Sequence, residues 1–197
     1  MGPPQGRRLL DVEDSVLCVV DVQPGFAGKV GESEARPFIQ RVVWVAALAD
    51  ALGVPIVVTE EEPDHNGPTL PEVAERLPDP TSRYTKPTFG LADVPEILAA
   101  VEATGRRTAV LVGMETDVCV AHSALGLLDR DYRVVVVRDA VLAPSDAHDD
   151  GIERMRAAGV TLIGAKGLFY EWARTVDGAG TLDDRMASVP VPDGLTL

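Results

Sequence analysis

Residues 108–132 read TAVLVGMETDVCVAHSALGLLDRDY and combine a strand with the helix that follows it. The apolar run at 109–112 is too short for a helix and rich in β-branched side chains, which predicts a buried strand. Gly113 ends this run, and the apolar residues between 118 and 128 recur at helical spacing. The stretch therefore predicts a strand, a sharp turn and a helix, in that order.

Cys119 falls in the first turn of the predicted helix, just beyond the end of the strand. Thr116 and Asp117 precede it, and both are residue types that commonly cap the start of a helix. Unpaired backbone N–H groups and the positive end of the helix dipole favour a thiolate at such a position. Cys119 is therefore either an activated sulfur nucleophile or a buried structural cysteine, which is common for a lone cysteine.

The rest of the chain repeats this succession of apolar strand and helix. Continuous apolar runs, typical of strands buried on both faces of a parallel sheet, occur at 16–20, 55–59, 133–137 and 160–163. Helical spacing recurs at 37–52, 94–104, 146–158 and 168–174, with a shorter helix expected at 71–77 and a short strand at 83–86. Strands that alternate with helices predict an α/β fold with a parallel sheet.

Two polar residues are expected at the carboxyl ends of central strands. Asp21 follows the run at 16–20, and Cys119 lies beyond the run at 109–112. Open α/β sheets bind ligands beyond the carboxyl ends of their strands, where the strand order reverses. The sequence therefore predicts that Asp21 and Cys119 share a site. Lys86 follows no comparable pattern, and its surroundings alone indicate a surface lysine.

Length and composition favour one domain over residues 1–197, with a loose arm at 1–13 and an irregular tail at 177–197. A formal net charge of −13 argues against nucleic acid and anionic membranes as partners. No apolar run approaches the length of a membrane span, and the N-terminus lacks the apolar core of a signal peptide. With only two cysteines, the chain is expected to be a cytoplasmic protein.

Three separated motifs make the chain similar to the isochorismatase-like cysteine hydrolases. They are VVDVQPGF at 19–26, KPTFG at 86–90 and GMETDVCV at 113–120, and the resemblance extends from residue 16 to about residue 174. Segments 59–60 and 67–72 resemble a branch of uncharacterised hydrolases in a superfamily that includes nicotinamidases and N-carbamoylsarcosine amidohydrolase. The resemblance implies a three-layer αβα sandwich with a six-stranded, mainly parallel sheet in the order 3-2-1-4-5-6.

The resemblance also implies a catalytic triad of Asp21, Lys86 and Cys119. It implies a cis peptide bond between Met114 and Glu115, with the backbone N–H groups of Glu115 and Cys119 forming an oxyanion hole. The implied reaction is hydrolysis of an amide or carbamoyl-like C–N bond in a small-molecule substrate through a thioester on Cys119. No cofactor is implied, and a homo-oligomer, either a dimer or a tetramer, is expected.

Position in the motifs and loops predicts the residues that bind substrate: Gln23, Phe26, Glu60, Phe89 and His122. The two phenylalanines indicate a planar or apolar part of the substrate, unless they serve packing. The acidic loop at 60–65 indicates either a cationic ligand or a hydrated surface. Because it lacks the Asp-x-His spacing of the nicotinamidase metal site, no metal is expected.

Three other functions remain open on the sequence. A family member without catalytic activity would use the pocket for binding small molecules or for oligomer contacts. A metal-dependent nicotinamidase would need the ligand cluster that the loop at 60–65 lacks. A thiol peroxidase or redox sensor would need a resolving cysteine, and none lies near Cys119 in the sequence.

Overall fold

The structure is a computed structural model that describes residues 9–78 and 83–197. In these ranges the strands, all paired in parallel, form one six-stranded sheet. They are β1 (Ser15–Val20), β2 (Ile56–Glu61), β3 (Arg83–Lys86), β4 (Thr108–Met114), β5 (Arg133–Leu142) and β6 (Thr161–Ile163). Their order across the sheet, β3-β2-β1-β4-β5-β6, confirms the order that the resemblance implies.

Helices cover both faces of the sheet. The described α-helices are α1 (Pro24–Ala27), α2 (Glu32–Ala51), α3 (Pro63–Asn66), α4 (Pro71–Ala74), α5 (Pro95–Ala103), α6 (Ala121–Leu128), α7 (Ala147–Ala158), α8 (Ala165–Ala173) and α9 (Val176–Arg185). Helices α2, α8 and α9 share one hydrophobic core, and α5, α6 and α7 share the other. The predicted α/β fold and its three layers are therefore confirmed. Every helix in the described ranges is too short or too polar to cross a lipid bilayer.

Strand β1 shows why the apolar runs are continuous. All of its residues are buried. Leu17 and Val19 belong to the core under α2 and α8, whereas Val16, Cys18 and Val20 belong to the core under α5, α6 and α7. Because successive side chains of a strand point to opposite faces, a strand covered on both faces is apolar at every position.

Strands β1 and β4 are neighbours in the sheet although they are far apart in the sequence, so the switch point lies between them. Val20 and Gly113 are partners in this pairing. Gly113 has φ +133°, and a Cβ at this position would lie 1.9 Å from the carbonyl oxygen of Val20. Only glycine therefore lets the end of β4 approach β1 this closely. This approach brings Asp21, which follows β1, beside the turn that carries Cys119.

Several boundaries differ from the expected ones. Strand β2 continues to Glu61, two residues past its predicted end, and β5 continues to Leu142. Helix α2 begins at Glu32, so that Pro37 lies inside the helix. The predicted start at residue 37 came too late, because the apolar spacing begins near Phe38 and the first turns of the helix are mostly polar.

The C-terminal region is not an irregular tail throughout, as the sequence predicted, because helix α9 occupies part of it. The hydroxyl oxygen of Thr175 accepts the N–H of Gly178 at 2.9 Å and caps the start of the helix. Leu182 and Met186 are buried in the core. The glycines at 178 and 180 concealed the helix, because glycine is a poor helix former and tertiary packing outweighs that preference.

A loose N-terminal arm was predicted over residues 1–13, of which residues 1–8 lie outside the described residues. Leu10 is buried, and residues 12–14 form a 3₁₀ turn. The N–H of Leu10 donates to a carboxylate oxygen of Glu171 at 2.7 Å, and the guanidinium of Arg174 donates to the Leu10 carbonyl. Residues 10–13 are therefore tied to the body of the protein, and the loose-arm prediction is wrong for them.

Candidate active site

Cys119 lies in a tight turn between β4 and α6. Residues Thr116–Val120 form one turn of π-helix, in which the N–H of Val120 donates to the carbonyl of Glu115 at 3.0 Å. The peptide bond between Met114 and Glu115 is cis, at the position that the resemblance implies. The turn places Cys119 beyond the carboxyl end of β4, as the sequence predicted.

The predicted side-chain caps of this turn are wrong. Glu115 and Val120 occupy the cap positions of the π-turn and of α6, and neither position has a side-chain cap hydrogen bond. The hydroxyl of Thr116 instead lies 3.0 Å from Nδ1 of His148 on α7. Thr116 therefore links the turn to a neighbouring helix rather than to the start of its own.

Helix α7 packs directly on the turn through Gly151. A Cβ at this position would lie 2.7 Å from both the Cα and the N of Asp117. Contacts this short do not occur between real atoms, so the turn can approach α7 only because residue 151 has no side chain. The sequence gives no signal for this role of Gly151, because a glycine inside a helical pattern shows no sign of what it faces.

Asp21 and Lys86 form a buried ion pair. Nζ of Lys86, the last residue of β3, lies 2.6 Å from Oδ2 of Asp21, and both side chains are 0% exposed. The hydroxyl of Thr59 donates to the other carboxylate oxygen of Asp21 at 2.8 Å. Nζ of Lys86 also donates to the carbonyl of Thr88 at 2.8 Å. The interpretation of Lys86 as a surface lysine is therefore wrong.

Glu61, which was not among the predicted site residues, completes the cluster. The thiol of Cys119 donates to Oε2 of Glu61 at 3.1 Å, and the same oxygen lies 3.5 Å from Nζ of Lys86. A carboxylate oxygen of Asp21, a carboxylate oxygen of Glu61 and Sγ of Cys119 all lie within 4.8 Å of one another. Thr59 and Glu61 share a strand face, since side chains alternate along β2. The predicted strand ended at residue 59; a strand extended to residue 61 would have placed Glu61 on the same face as Thr59.

The electrostatics of the cluster favour a neutral thiol. Burial raises the pKa of the Cys119 thiol above its ordinary value, the charge of Asp21 raises it further, and the charge of Lys86 opposes both. Burial also raises the pKa of the Asp21 carboxyl, while Lys86 opposes this change. This direction is opposite to the one expected from the helix start, because removal from water disfavours the charged form of the thiol.

Two predicted substrate-binding residues make their polar contacts with the protein itself. The carboxylate of Glu60 accepts the N–H of Thr69 at 2.7 Å and its hydroxyl at 2.6 Å. The Gln23 amide donates to the carbonyls of Glu61 and Gly67 at 3.0 and 2.6 Å, and accepts the N–H of Glu61 at 2.8 Å. These contacts assign both residues to holding the loop after β2.

The predicted aromatic residues lie in different environments. Phe26 is buried, and Nζ of Lys29 lies 4.7 Å from the centre of its ring. Lys29 also pairs with the Glu115 carboxylate at 3.2 Å. Phe89 is 53% exposed and meets His122 edge to face, with ring centres 5.7 Å apart. Phe89 and His122 thus form one aromatic pair, apart from the buried Phe26.

An open depression of about 740 Å³ lies next to Lys86 and is lined by Glu62, Pro63, Asp64, His65, Thr85, Lys86 and Pro87. In the described part of the chain, the side chains grouped closely enough to share a metal ion are those of Asp21, Glu61 and Cys119, rather than those of residues 62–65. The ammonium of Lys86 already supplies a positive charge within that group.

Comparison with known proteins identifies the family. Residues 15–166 match the family model of the isochorismatase domain. The chain belongs to the isochorismatase family. YcaC of Escherichia coli, named a probable hydrolase, is 30% identical over 180 residues, which cover 88% of this chain and 86% of that protein. Isochorismatase domain-containing protein 2 of Xenopus laevis is 33% identical over 173 residues, covering 84% and 80% of the two chains.

Solved structures agree with this assignment. The crystal structure of Escherichia coli YcaC, described as an octameric hydrolase of unknown specificity, has a TM-score of 0.81 at 27% identity and covers 92% of each chain. The structure of YcaC from Pseudomonas aeruginosa, with hexane-2,5-diol and covalent acrylamide, has a TM-score of 0.79 at 29% identity and covers 90% of this chain and 91% of that one. This isochorismatase-family protein is thus a hydrolase.

Proposed function

We propose that this isochorismatase-family hydrolase cleaves an amide or carbamoyl-like C–N bond of a small molecule through a thioester on Cys119. The observation that carries the proposal is the buried cluster, in which the thiol lies beside the ion pair of Asp21 and Lys86. A thiol, a carboxylate and an ammonium group together supply the nucleophile, the proton acceptor and the positive charge that a covalent hydrolase needs.

Asp21 takes the thiol proton in the first step. Oδ2 of Asp21 lies 2.6 Å from the ammonium of Lys86, and a carboxylate oxygen paired with one donor keeps a second lone pair for another proton. Oδ2 is therefore able to accept the proton of Cys119. Lys86 keeps its positive charge next to the thiolate as it forms, which lowers the cost of making a second anion in a buried site.

The thiolate then attacks the carbonyl carbon of the substrate, and an S–C bond forms as the carbonyl oxygen gains negative charge. The backbone N–H groups of Glu115 and Cys119 are the proposed donors to this oxygen, and one such donor typically lowers the barrier by about 2.7–4 kcal/mol. Asp21 returns its proton to the leaving nitrogen as the C–N bond breaks. The products of this half-reaction are an amine or ammonia and a thioester on Cys119.

Water completes the cycle. Asp21, again a carboxylate, takes a proton from the water molecule that attacks the thioester carbon. The C–S bond breaks, the thiol of Cys119 regains a proton, and a carboxylic or carbamic acid leaves. Each turnover consumes one water molecule and restores both Asp21 and Cys119.

The relatives support two parts of the proposal. The Pseudomonas aeruginosa YcaC structure contains covalent acrylamide, an electrophile that thiolates attack at its alkene carbon, and this supports a reactive nucleophile in that relative. The octameric Escherichia coli YcaC supports a homo-oligomer here, and the mass of the particle in solution, measured by light scattering against the 20.9 kDa chain, tests this part.

Ammonia release from a panel of small amides, ureas and carbamoyl compounds tests the reaction. The Cys119→Ala variant should lose activity by at least about a thousandfold, because removing the nucleophile of a hydrolytic triad removes most of its rate enhancement. Cys18→Ala, which removes the other cysteine from the core of β1, is the matched control and should keep activity.

Full activity in Cys119→Ala would contradict the covalent route. Silence of the wild type across the panel, in protein shown to be folded by thermal unfolding, would contradict the proposed reaction. That outcome would favour the non-catalytic binding function that the sequence leaves open.

A further inference from the structure

Glu61 is the member of the cluster that solvent reaches. The side chains of Asp21 and Lys86 are 0% exposed and Cys119 is 1% exposed, whereas the side chain of Glu61 is 14% exposed. A ligand that approaches the thiol therefore meets the carboxylate of Glu61 first.

Gln23, which follows β1, and Asn66 of α3 hold the backbone of Glu61 in place. Gln23, itself buried, accepts the N–H of Glu61 and donates to its carbonyl, at 2.8 and 3.0 Å. The amide of Asn66 donates to the same carbonyl at 2.9 Å. Glu61 is also the register partner of Lys86 in the pairing of β2 with β3. The carboxylate is therefore fixed in the cluster rather than carried on a free loop.

The charges of the cluster do not balance while the thiol is neutral. The ammonium of Lys86 lies 2.6 Å from Asp21 but 3.5 Å from Glu61, so its charge is mostly matched by Asp21. The carboxylate of Glu61 accepts the thiol of Cys119 and still has room for further donors, because a carboxylate has about four acceptor positions. One negative charge thus remains at the exposed edge of the site.

We propose that Glu61 selects substrates that carry a positively charged nitrogen, such as an ammonium or amidinium group, close to the scissile carbonyl. This inference rests on the proposed function for its reaction, but its binding site stands on the contacts of Glu61 alone. A cation paired with Glu61 would place the neighbouring carbonyl carbon beside Sγ of Cys119, because the carboxylate and the thiol are 3.1 Å apart.

Substrate binding of this kind would also favour reaction of the thiol. Glu61 is among the groups that raise the pKa of Cys119, through its hydrogen bond and its charge, after burial and Asp21. A bound cation offsets the charge of Glu61, so the thiolate becomes easier to form. Cationic ligands should therefore react faster than neutral ligands of the same shape.

Chemical modification tests the inference without relying on hydrolysis. Trimethylammonium-ethyl methanethiosulfonate and its neutral hydroxyethyl analogue are reacted with the Cys18→Ala protein, where Cys119 is the remaining cysteine. The rates are measured by mass spectrometry and divided by those of a small free thiol. The ratio of cationic to neutral rate should fall by about tenfold in Glu61→Gln, the effect of losing one partly buried ion pair.

Glu62→Gln is the matched control, because it makes the same change in net charge at the adjacent exposed residue. Its ratio should stay close to that of the parent, and Glu61→Asp, which keeps the charge, should retain a preference for the cation. An unchanged ratio in Glu61→Gln would overturn the proposal. An equal fall in Glu62→Gln would overturn it too, since the preference would then belong to the acidic surface as a whole.

Hydrolysis of glycinamide and of propionamide, its neutral isostere, separates the two proposals. The wild type should favour glycinamide in kcat/KM, and Glu61→Gln should lose this preference through KM. Cleavage that depends on Cys119 but shows no preference for charge would leave the proposed function standing and overturn the role of Glu61. Cation-selective modification without hydrolysis of any amide would overturn the proposed function and leave the role of Glu61 in cation binding standing.

Discussion

Asp21 combines an unfavourable backbone conformation with a buried charge. Its φ of +49° lies in the left-handed region that residues other than glycine rarely adopt. Thr59 and Lys86 hold its two carboxylate oxygens, so the conformation is maintained from both sides. Such conformations cluster at functional sites, and here the surrounding contacts fix the Asp21 carboxylate beside Lys86.

The pH dependence of thiol modification follows from the same environment. Burial and the charge of Asp21 raise the pKa of Cys119 above the ordinary thiol value of 9.0. Since only the thiolate reacts, the rate of alkylation by iodoacetamide should still be rising above pH 9.0 in the folded Cys18→Ala protein.

The same protein unfolded in guanidinium chloride is the control. In the unfolded protein the alkylation rate should level off once the pH passes the ordinary thiol pKa of 9.0. Mass spectrometry of samples quenched over a series of pH values gives both profiles. A plateau near neutral pH in the folded protein would contradict a neutral resting thiol, and would indicate instead that Lys86 and the helix start dominate.

At the scale of elements, the position of Cys119 depends on how closely α7 approaches the turn before α6. Gly151 allows that approach, and the contact between Thr116 and His148 joins the same two elements. The pKa of His148 is lowered, chiefly by its burial against this turn, which keeps a neutral ring beside Thr116. Cys119, the proposed nucleophile, is therefore positioned by a helix that supplies no group to the proposed reaction.

Substitution of Gly151 by alanine tests this dependence. The new Cβ would lie 2.7 Å from backbone atoms of Asp117, so α7 and the turn must move apart. Stability to urea should fall by about 1–3 kcal/mol, the usual cost of overpacking, and activity dependent on Cys119 should fall as well.

Gly180→Ala is the control for the chemistry of the substitution. Position 180 lies in α9 with no other atom within 4 Å of a new Cβ. Alanine there should raise stability by about 0.5–1 kcal/mol, because it favours the helix over the unfolded chain. Equal stability of Gly151→Ala and the wild type would contradict the close packing of α7 on the turn.

For the molecule as a whole, the sheet divides the interior into two hydrophobic cores, and segments near both ends of the described chain pack against one side of it. The core under α2 and α8 is completed by α9, because Leu182 of this helix and Met186 directly after it are buried in that core. The segment around Leu10 is held to the end of α8 by Glu171 and Arg174. Both ends of the described chain thus contribute to the stability of the sandwich.

Leu182→Ala should lower the free energy of unfolding by about 2–5 kcal/mol, because it leaves a cavity in a packed core. Val176→Ala in the same helix is the control, since Val176 is 89% exposed and its truncation should change stability by no more than about 0.5 kcal/mol. Urea unfolding measures both variants. A loss in Leu182→Ala no larger than that in Val176→Ala would show that α9 does not stabilise the fold.

The sequence by itself determined the class of fold and two of the groups at the site. Apolar runs and helical spacing predicted the succession of strands and helices, since these periodicities are local properties of the chain. Asp21 and Cys119 were predicted together because parallel strands end at the same edge of a sheet. Lys86 was assigned to the site only by the resemblance of the KPTFG motif at 86–90 to the family. Its neighbours in the sequence, taken alone, indicated a surface lysine.

Tertiary structure decided which carboxylate meets the thiol and which protonation state the thiol takes. Glu60 and Glu61 are adjacent in an acidic run, and the alternation of β2 together with the hydrogen bonds between Gln23 and the Glu61 backbone turns Glu61 towards Cys119. The pKa of Cys119 depends on burial and on Asp21, which is far away in the sequence. Local patterns carry periodicity but not these contacts, because desolvation and charge act through space between segments that only the folded chain brings together.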